Sequence, residues 1–388
     1  MTTHTSPADP STPDAGAILE CPHGIECGAC ALLGQSYDAQ LRRKRRFLGD
    51  ALQSYRKLAR AEVLDCMESP LTSGYRNRAK MAVGISKYDP TSLGYFREGT
   101  REIIDAPHCK VLVPELLETT RALRDFLRSA SIPRELRHID VRCGSDPKRQ
   151  HLILVLRTDE RLRLPIEGLR RACRHVDGIS VNLNPKGGAQ VIKGPIHHQW
   201  GAREVFVERG PLSLRVSPGS FFQVNLSVLP RIHAVMGEFL DGGDVLADLY
   251  SGVGTHGLAL ADRFSRVVCV EGVRSSVADT KASAKRARLG HVSVIPKPVE
   301  RSLKPLLDAD PDSVVMNPSR AGARPEVLDA LLTSRADRIV YLSCDPRTLG
   351  RDLDVLVRGG FELVSTQPID MMPQTRQVEA IALLARRR

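Results

Sequence analysis

The stretch VLADLYSGVGTHGLALADRF, residues 245–264, decides how this chain is built. VLADLY reads as a buried strand, SGVGTHG as a tight turn on glycines, and the remainder as the start of a helix. The same rhythm continues: strand RVVCVEG (266–272), helix SSVADTKASAKRARLG (275–290), then strands HVSVIP (291–296), DSVVMNP (312–318) and RIVYLSC (338–344). PEVLDALLTS (325–334) and TLGRDLDVLVRG (348–359) supply further helices. FELVSTQPIDM (361–371) and QVEAIALLARRR (377–388) predict a closing hairpin. Strand–helix alternation of this kind predicts an α/β fold with a doubly wound, mostly parallel sheet, and ligands bind such sheets at the carboxyl ends of the strands.

Working outward, residues 61–208 have a different texture. Short apolar runs (AKMAVGI, SLGYF, HLILVLR, ISVNLNP, AQVIKG) alternate with turn signals, which predicts a mostly antiparallel sheet with helices near 114–130 and 165–175. Before it, residues 18–60 carry a cysteine cluster and a basic helix pattern. Residues 1–17, rich in Ser, Thr, Pro and Asp, read as a disordered tail. The expected organisation is therefore a tail (1–17), an α+β region (18–208) and a doubly wound domain (209–388).

The chain has 388 residues, enough for two or three domains. Its 56 Lys+Arg against 45 Asp+Glu give a net charge of +11, which points to an anionic partner, nucleic acid first. No apolar run approaches the ~18 residues needed to span a bilayer, and the N-terminus lacks the basic start and apolar stretch of a secretory signal. Nine cysteines, an odd number without an export signal, argue against disulfides and for ligands or nucleophiles in a cytoplasmic protein.

Five places carry chemistry. In the glycine turn Asp248–Gly257, backbone can approach a ligand, and Glu271 at the tip of the next strand can accept hydrogen bonds from both ribose hydroxyls. Gly252-Val-Gly254-Thr-His-Gly257 satisfies the dinucleotide pattern GxGxxG, but the preceding DLYSG looks like the first motif of S-adenosylmethionine methyltransferases. Asn317-Pro318 ends the fourth strand of this half; the following Ser319 and Arg320 depart from the Asn-Pro-Pro-aromatic ending of amino-methyltransferases. Cys344 ends the fifth strand just before a helix, where the helix N-terminus favours a thiolate. Glu379 precedes the last apolar run, an awkward place for a carboxylate unless it faces a cleft. Finally Cys21, Cys27 and Cys30, spaced Cx5CxxC and joined by Cys109, supply four thiolates for one metal centre, with zinc and a [4Fe–4S] cluster both open. Cys66, Cys143, Cys173 and Cys269 read as structural. The basic run Arg42–Arg46 and Arg76 with Arg78 are candidates for gripping phosphates.

Together these sites resemble the RNA uracil-C5 methyltransferase family, from Cys21 to the end of the chain. The resemblance implies a Rossmann-like class I methyltransferase domain, plus an α+β RNA-binding domain carrying an iron–sulfur cluster. SPGSFFQVN (217–225) is similar to the family segment whose Gln, here Gln223, touches the methionine part of S-adenosylmethionine. Further cofactor positions fall on Tyr250, Thr255, Glu271 and Asn317. SCDPRTLGRD is similar to the nucleophile segment, which assigns the nucleophile to Cys344. DMMPQTRQVE is similar to the segment that assigns the base to Glu379. The Cx5CxxC…C set looks like the [4Fe–4S] ligands Cys21, Cys27, Cys30 and Cys109 of the family's 23S ribosomal RNA members. Only 20 residues precede Cys21, too few for the extra N-terminal barrel of some relatives, so the short 23S enzymes are the expected likeness. A transfer-RNA enzyme, which usually lacks the cluster cysteines, is the alternative. A non-catalytic, metal-stabilised RNA-binding protein is the other; retention of Cys344 and Glu379 argues against it. No obligate protein partner is evident. Three residues depart from the pattern, Ser319, Asp345 and Gln377, and Asp345 is expected to raise the Cys344 pKa by repulsion.

Overall fold

A computed structural model of the protein describes residues 16–24, 26–84, 91–130, 132–188 and 190–387. The tail expected over 1–17 lies almost wholly outside the described residues. Helix α1 (Tyr37–Gln53) starts where the Ser36 hydroxyl accepts the Ala39 N–H, and its apolar face buries Leu41, Leu48 and Leu52. A seven-stranded sheet follows, built from β1 (Arg78–Gly84), β2 (Ser92–Phe96), β3 (Ile103–Asp105), β4 (Leu136–Cys143), β5 (Gln150–Leu156), β6 (Val176–Leu183) and β7 (Ile196–Gly201). The strand order is β3-β2-β1-β4-β5-β6-β7, antiparallel throughout except for the β5–β6 pair. Helices α2 (Pro114–Ser129) and α3 (Ile166–Ala172) cover one face, where Ala79, Met81, Ile139, Val141, Leu152 and Leu154 form a core.

AQVIKG departs from its expected strand. Ala189 lies outside the described residues, and Gln190–Gly194 form a loop. The Asn184 amide donates to the carbonyls of Gln190 and Val191, and the Asn182 amide to those of Lys193 and Pro195, which holds the backbone away from any ladder.

The hairpin β8 (Val205–Arg209) and β9 (Leu212–Val216) leads to helix α4 (Leu229–Leu240) and a second seven-stranded sheet. Its elements in chain order are β10 (Gly243–Leu249), β11 (Phe264–Val270), α5 (Arg274–Arg286), β12 (Val292–Ile295), α6 (Leu303–Asp308), β13 (Ser313–Met316), α7 (Pro325–Thr333), β14 (Arg338–Ser343), α8 (Pro346–Arg358), β15 (Phe361–Ile369) and β16 (Glu379–Arg386). The order is β12-β11-β10-β13-β14-β16-β15; the first five strands are parallel, and β16 runs antiparallel to both neighbours. This is the expected doubly wound sheet with its closing hairpin. The order reverses at β10, so the crevice beside β10 and β13 is where a ligand fits.

One expected element is missing: no regular helix follows the glycine turn. Residues 252–260 make successive turns that close in a short 3-10 turn at Ala261–Arg263. The buried Asp248 carboxylate accepts the Gly257 N–H at 2.8 Å, and a Cβ at Gly257 would lie 2.8 Å from that same oxygen. The strand-end carboxylate thus claims a backbone donor inside this segment.

Packing divides the chain differently from the expected break at 208/209. Leu48, Leu52 and Leu58 belong to the core on one face of the second sheet, and the 205–216 hairpin to the core on its other face. Val63 and Met67 bridge to Thr366 and Ile369 of β15. Residues 37–67 therefore clasp the far domain, because the apolar face of α1 finds its complement on α8 and β15 rather than on the nearer sheet.

Candidate active site

A cavity of about 550 Å3 opens at the carboxyl ends of β10, β11, β13 and β14. It gathers Gln223, Tyr250, Thr255, Glu271, Asn317, Cys344 and Glu379, seven residues scattered over 157 positions of the chain. The fold explains the convergence, since each lies in a loop following a strand or, for Glu379, at the first residue of β16.

On the cofactor side, Tyr250 adopts φ +57 and its hydroxyl donates to Glu300 at 3.0 Å. Glu271 accepts the Gly252 N–H at 2.9 Å on one oxygen and the Val273 N–H at 2.7 Å on the other, which fixes the carboxylate while leaving lone pairs on both oxygens. Burial pushes the Asp248 carboxyl up to about 7, and its Oδ1 has no partner. The loop carrying Gln223 is tied to both halves of the molecule. Asp279 of α5 accepts from the Ser217 and Ser220 hydroxyls and from Arg215, while Arg142 of the first sheet donates to the Ser220 carbonyl at 2.8 Å. The ring of Phe221, 62% exposed, lines the cavity.

On the reacting side, Ser343 pairs with Ala380 across β14 and β16, so Cys344 and Glu379 stand next to one another at the end of the ladder. Burial pushes the Glu379 carboxyl up to about 7, against the pull of Arg320. The Cys344 thiol is raised by burial and then by Glu379; Arg320 opposes through charge and a hydrogen bond. Two expectations need correction here. The helix N-terminus does not bring the thiol below its usual range, because burial and Glu379 outweigh every group that lowers it. Asp345 caps α8 by accepting the Arg347 N–H at 3.0 Å, and the carboxylate acting on the thiol is Glu379. Arg320 also donates to Gln377 at 2.8 Å, so one of the departures from the motif pairs, at the cavity, with the neighbour of another, Ser319.

The segment leading into Glu379 is held by parts of the chain that the sequence did not connect with it. Gln374, at φ +70, exchanges two 2.9 Å hydrogen bonds with the Gln40 amide, and its carbonyl accepts the Leu32 N–H. Lys44, read as part of a phosphate-gripping run, is buried against Asp370 at 2.5 Å. Arg42 and Arg45 pair with Asp38 and Asp65, and Arg78 with buried Asp140. Lys44 and Arg78, on buried carboxylates, serve the fold, whereas the Arg42 and Arg45 pairs are exposed to solvent. The signal for Lys44 was its place on the apolar side of the α1 pattern.

Cys27 and Cys109 are buried, Cys21 and Cys30 half-buried, and none forms a disulfide. Among the described residues, no three His, Cys, Asp or Glu side chains stand close enough to grip a metal ion as they are placed. The four thiols are nonetheless neighbours. Burial, and then Cys109, Cys27 and Cys21, push Cys30 up to about 12. The Cys27 sulfur accepts the Ala29 N–H, and the Cys109 sulfur those of Val111 and Leu112. Two of the four sulfurs, Cys27 and Cys109, thus already accept backbone N–H groups.

Comparison with known proteins agrees with the geometry. The family model described as tRNA (Uracil-5-)-methyltransferase matches residues 36–387. The chain is 31% identical over 379 residues to an uncharacterized RNA methyltransferase of Halalkalibacterium halodurans, covering 94% of this chain and 82% of that protein. It is 30% identical to another from Thermosynechococcus vestitus, covering 92% and 82%. The solved structure of Pyrococcus abyssi tRNA (uracil-54, C5)-methyltransferase with S-adenosyl-L-homocysteine superposes with a TM-score of 0.75 at 26% identity, covering 92% of this chain and 85% of that one. No helix among the described residues is long and apolar enough to cross a membrane. A family match running almost the whole chain, on a sheet of this strand order, makes the protein a member of the tRNA (uracil-5-)-methyltransferase family, an S-adenosylmethionine-dependent RNA methyltransferase of the class I fold.

Proposed function

We propose that the protein methylates C5 of one uridine through a covalent adduct between Cys344 and C6. The adjacency of Cys344 and Glu379 in one cavity with Gln223, Tyr250, Thr255, Glu271 and Asn317 carries this reading. C5 of uracil is too weak a nucleophile to displace a methyl group from a sulfonium. Attack of the Cys344 thiolate forms the S–C6 bond and leaves an enolate with charge at C5. C5 then takes the methyl group as the sulfonium S–CH3 bond breaks, giving S-adenosylhomocysteine. Glu379 removes the C5 proton, the C5–C6 double bond re-forms, and the S–C6 bond breaks to release Cys344. The uridine must be unstacked to enter, so a loop or a flipped base is required.

The four cysteines fit a [4Fe–4S] centre, which would hold the segment 21–33 in place; Cys21, Cys27, Cys30 and Cys109 would be its ligands. With that set, 23S ribosomal RNA is the substrate we favour. Transfer RNA is a second reading, supported by the Pyrococcus abyssi relative, whose own substrate is a tRNA. Transcripts of both, offered with radiolabelled cofactor, separate them.

The decisive test is Glu379→Gln. It is expected to add to C6, transfer methyl and stall, giving a methyl-labelled covalent protein–RNA band on a denaturing gel. Cys344→Ala is expected to give neither band nor product. Normal turnover by Glu379→Gln overturns the mechanism.

A further inference from the structure

The face of the first sheet opposite α2 and α3 is buried at one end and open at the other. Along β1, Arg78, Lys80 and Ala82 share this face, since alternate strand residues point the same way. Across the ladder they pair with Arg142, Asp140 and His138. At one end, Arg78 and Arg142 stand beside Gln223 of the cofactor loop. Roughly 13 Å further along the strand, at Ala82 and His138, the face opens into a groove of about 470 Å3.

Phe96 lies in this groove, 43% exposed, with His138 meeting its ring edge-on at a centroid distance of 6.5 Å. The Phe96 carbonyl accepts the N–H of Gly28, between Cys27 and Cys30, so the cysteine segment fixes the backbone that presents the ring. Three arginines line the groove: Arg101, Arg137 and Arg157. Arginines elsewhere are largely committed, as with Arg124 and Arg128 on Asp105, Arg149 on Asp177 and Arg376 on Glu98. Among the described residues, the guanidinium groups of these three hold no carboxylate and make no hydrogen bond. Burial, Lys80 and Arg137 all act to keep His138 neutral.

An exposed ring beside unpaired guanidinium groups matches the chemistry of an unstacked nucleobase with its phosphates. We infer that this groove is a second RNA subsite, in which a nucleotide outside the reacting uridine stacks on Phe96 while Arg101, Arg137 and Arg157 hold flanking phosphates. The inference rests on RNA as substrate and says where its non-reacting part is held. A duplex does not satisfy the site, because stacking on Phe96 needs a base free of its own neighbours.

The test is fluorescence anisotropy with a fluorescein-labelled single-stranded oligouridylate and the full-length protein. Phe96→Ala is expected to weaken binding about 5- to 150-fold, and Phe96→Trp to restore it. Replacing Arg101, Arg137 and Arg157 together by Gln is expected to flatten the slope of log affinity against log salt by about 2, near 0.7 per phosphate contact. S-adenosylhomocysteine affinity, measured by calorimetry, is expected to stay at the wild-type value in each variant, which separates a lost subsite from a lost fold. Unchanged affinity in Phe96→Ala, or an unchanged salt slope in the triple variant, overturns the inference. Binding needs no turnover, so these outcomes remain readable if the Cys344 mechanism fails, and the covalent-band experiment remains readable if the groove fails.

Discussion

Cys344 and the Cys21, Cys27, Cys30 and Cys109 group are both half-buried or buried thiol sites, but their electrostatic company differs. Cys344 sits between one carboxylate, Glu379, and one guanidinium, Arg320, which oppose each other across the thiol. The four cysteines face one another, and Arg76 is the cation that opposes them at Cys30 and Cys109. A single thiolate can be stabilised by one nearby arginine, whereas four thiolates in one buried pocket would repel one another and need a multivalent cation. The proposed division, nucleophile in one region and ligand in the other, rests on this difference in surroundings.

The largest expected effect breaks the two sites apart. Cys344→Ala should abolish methyl transfer while leaving iron content unchanged, whereas Cys109→Ser should lose the iron and lower the melting temperature while keeping S-adenosylmethionine affinity. Iron assay and calorimetry on anaerobically purified protein check both; iron loss in Cys344→Ala would break the separation, and stoichiometric zinc in colourless wild-type protein would replace the cluster.

Next in size is the cofactor side of the cavity. Glu271→Ala should weaken S-adenosylmethionine by roughly 1.5–3 kcal/mol, since acceptors for the ribose and for two backbone N–H groups are lost together. Glu271→Gln should lose less, because its amide oxygen still accepts. Equal affinities by calorimetry would remove Glu271 from the site.

The Glu379 carboxyl sharpens the comparison through pH. Its folded value of about 7 lies above the ordinary 4.5, so the folded state retains the proton longer than the unfolded chain. Stability from this group is therefore full at low pH and declines as pH rises from about 4.5 to 7. Glu379→Gln, which keeps the neutral form, should be more stable than wild type at pH 8 by roughly 2–3 kcal/mol, and no more stable at pH 4. Breakdown of the methylated covalent complex, which needs ionised Glu379, should slow about tenfold per pH unit below 7 and level off above it. Denaturant melts and single-turnover kinetics read the two.

The smallest expected effect is Asp345→Asn. Asn caps a helix as well as Asp does, and Asp345 faces Arg347 N–H rather than the thiol. The rate of covalent complex formation should change by less than about twofold. A large acceleration would show that Asp345, like Glu379, acts on Cys344.

Much of this was legible in the chain. The alternation after residue 209, the glycine turn with Glu271 one strand on, and the cysteine spacing are local patterns, and a strand-end residue in a parallel sheet has one edge to occupy. What local pattern missed were pairings set by other elements. The helix after the glycine turn was lost to the Asp248–Gly257 bond, the AQVIKG strand to two asparagine amides, and the phosphate-gripping role of Lys44 and Arg78 to buried carboxylates.

The sequence by itself determined the strand–helix alternation, the candidate pair Cys344 and Glu379, and the family. Tertiary structure alone decided that residues 37–67 clasp the catalytic domain, that Gln40 and Leu32 hold the segment leading into Glu379, and that Arg320 rather than a helix end opposes the charge on Cys344. The reason is one of range. Periodicity and turn chemistry act over a few residues and leave their mark in order along the chain. Burial and charge act over a few ångströms, between residues as far apart in sequence as Lys44 and Asp370.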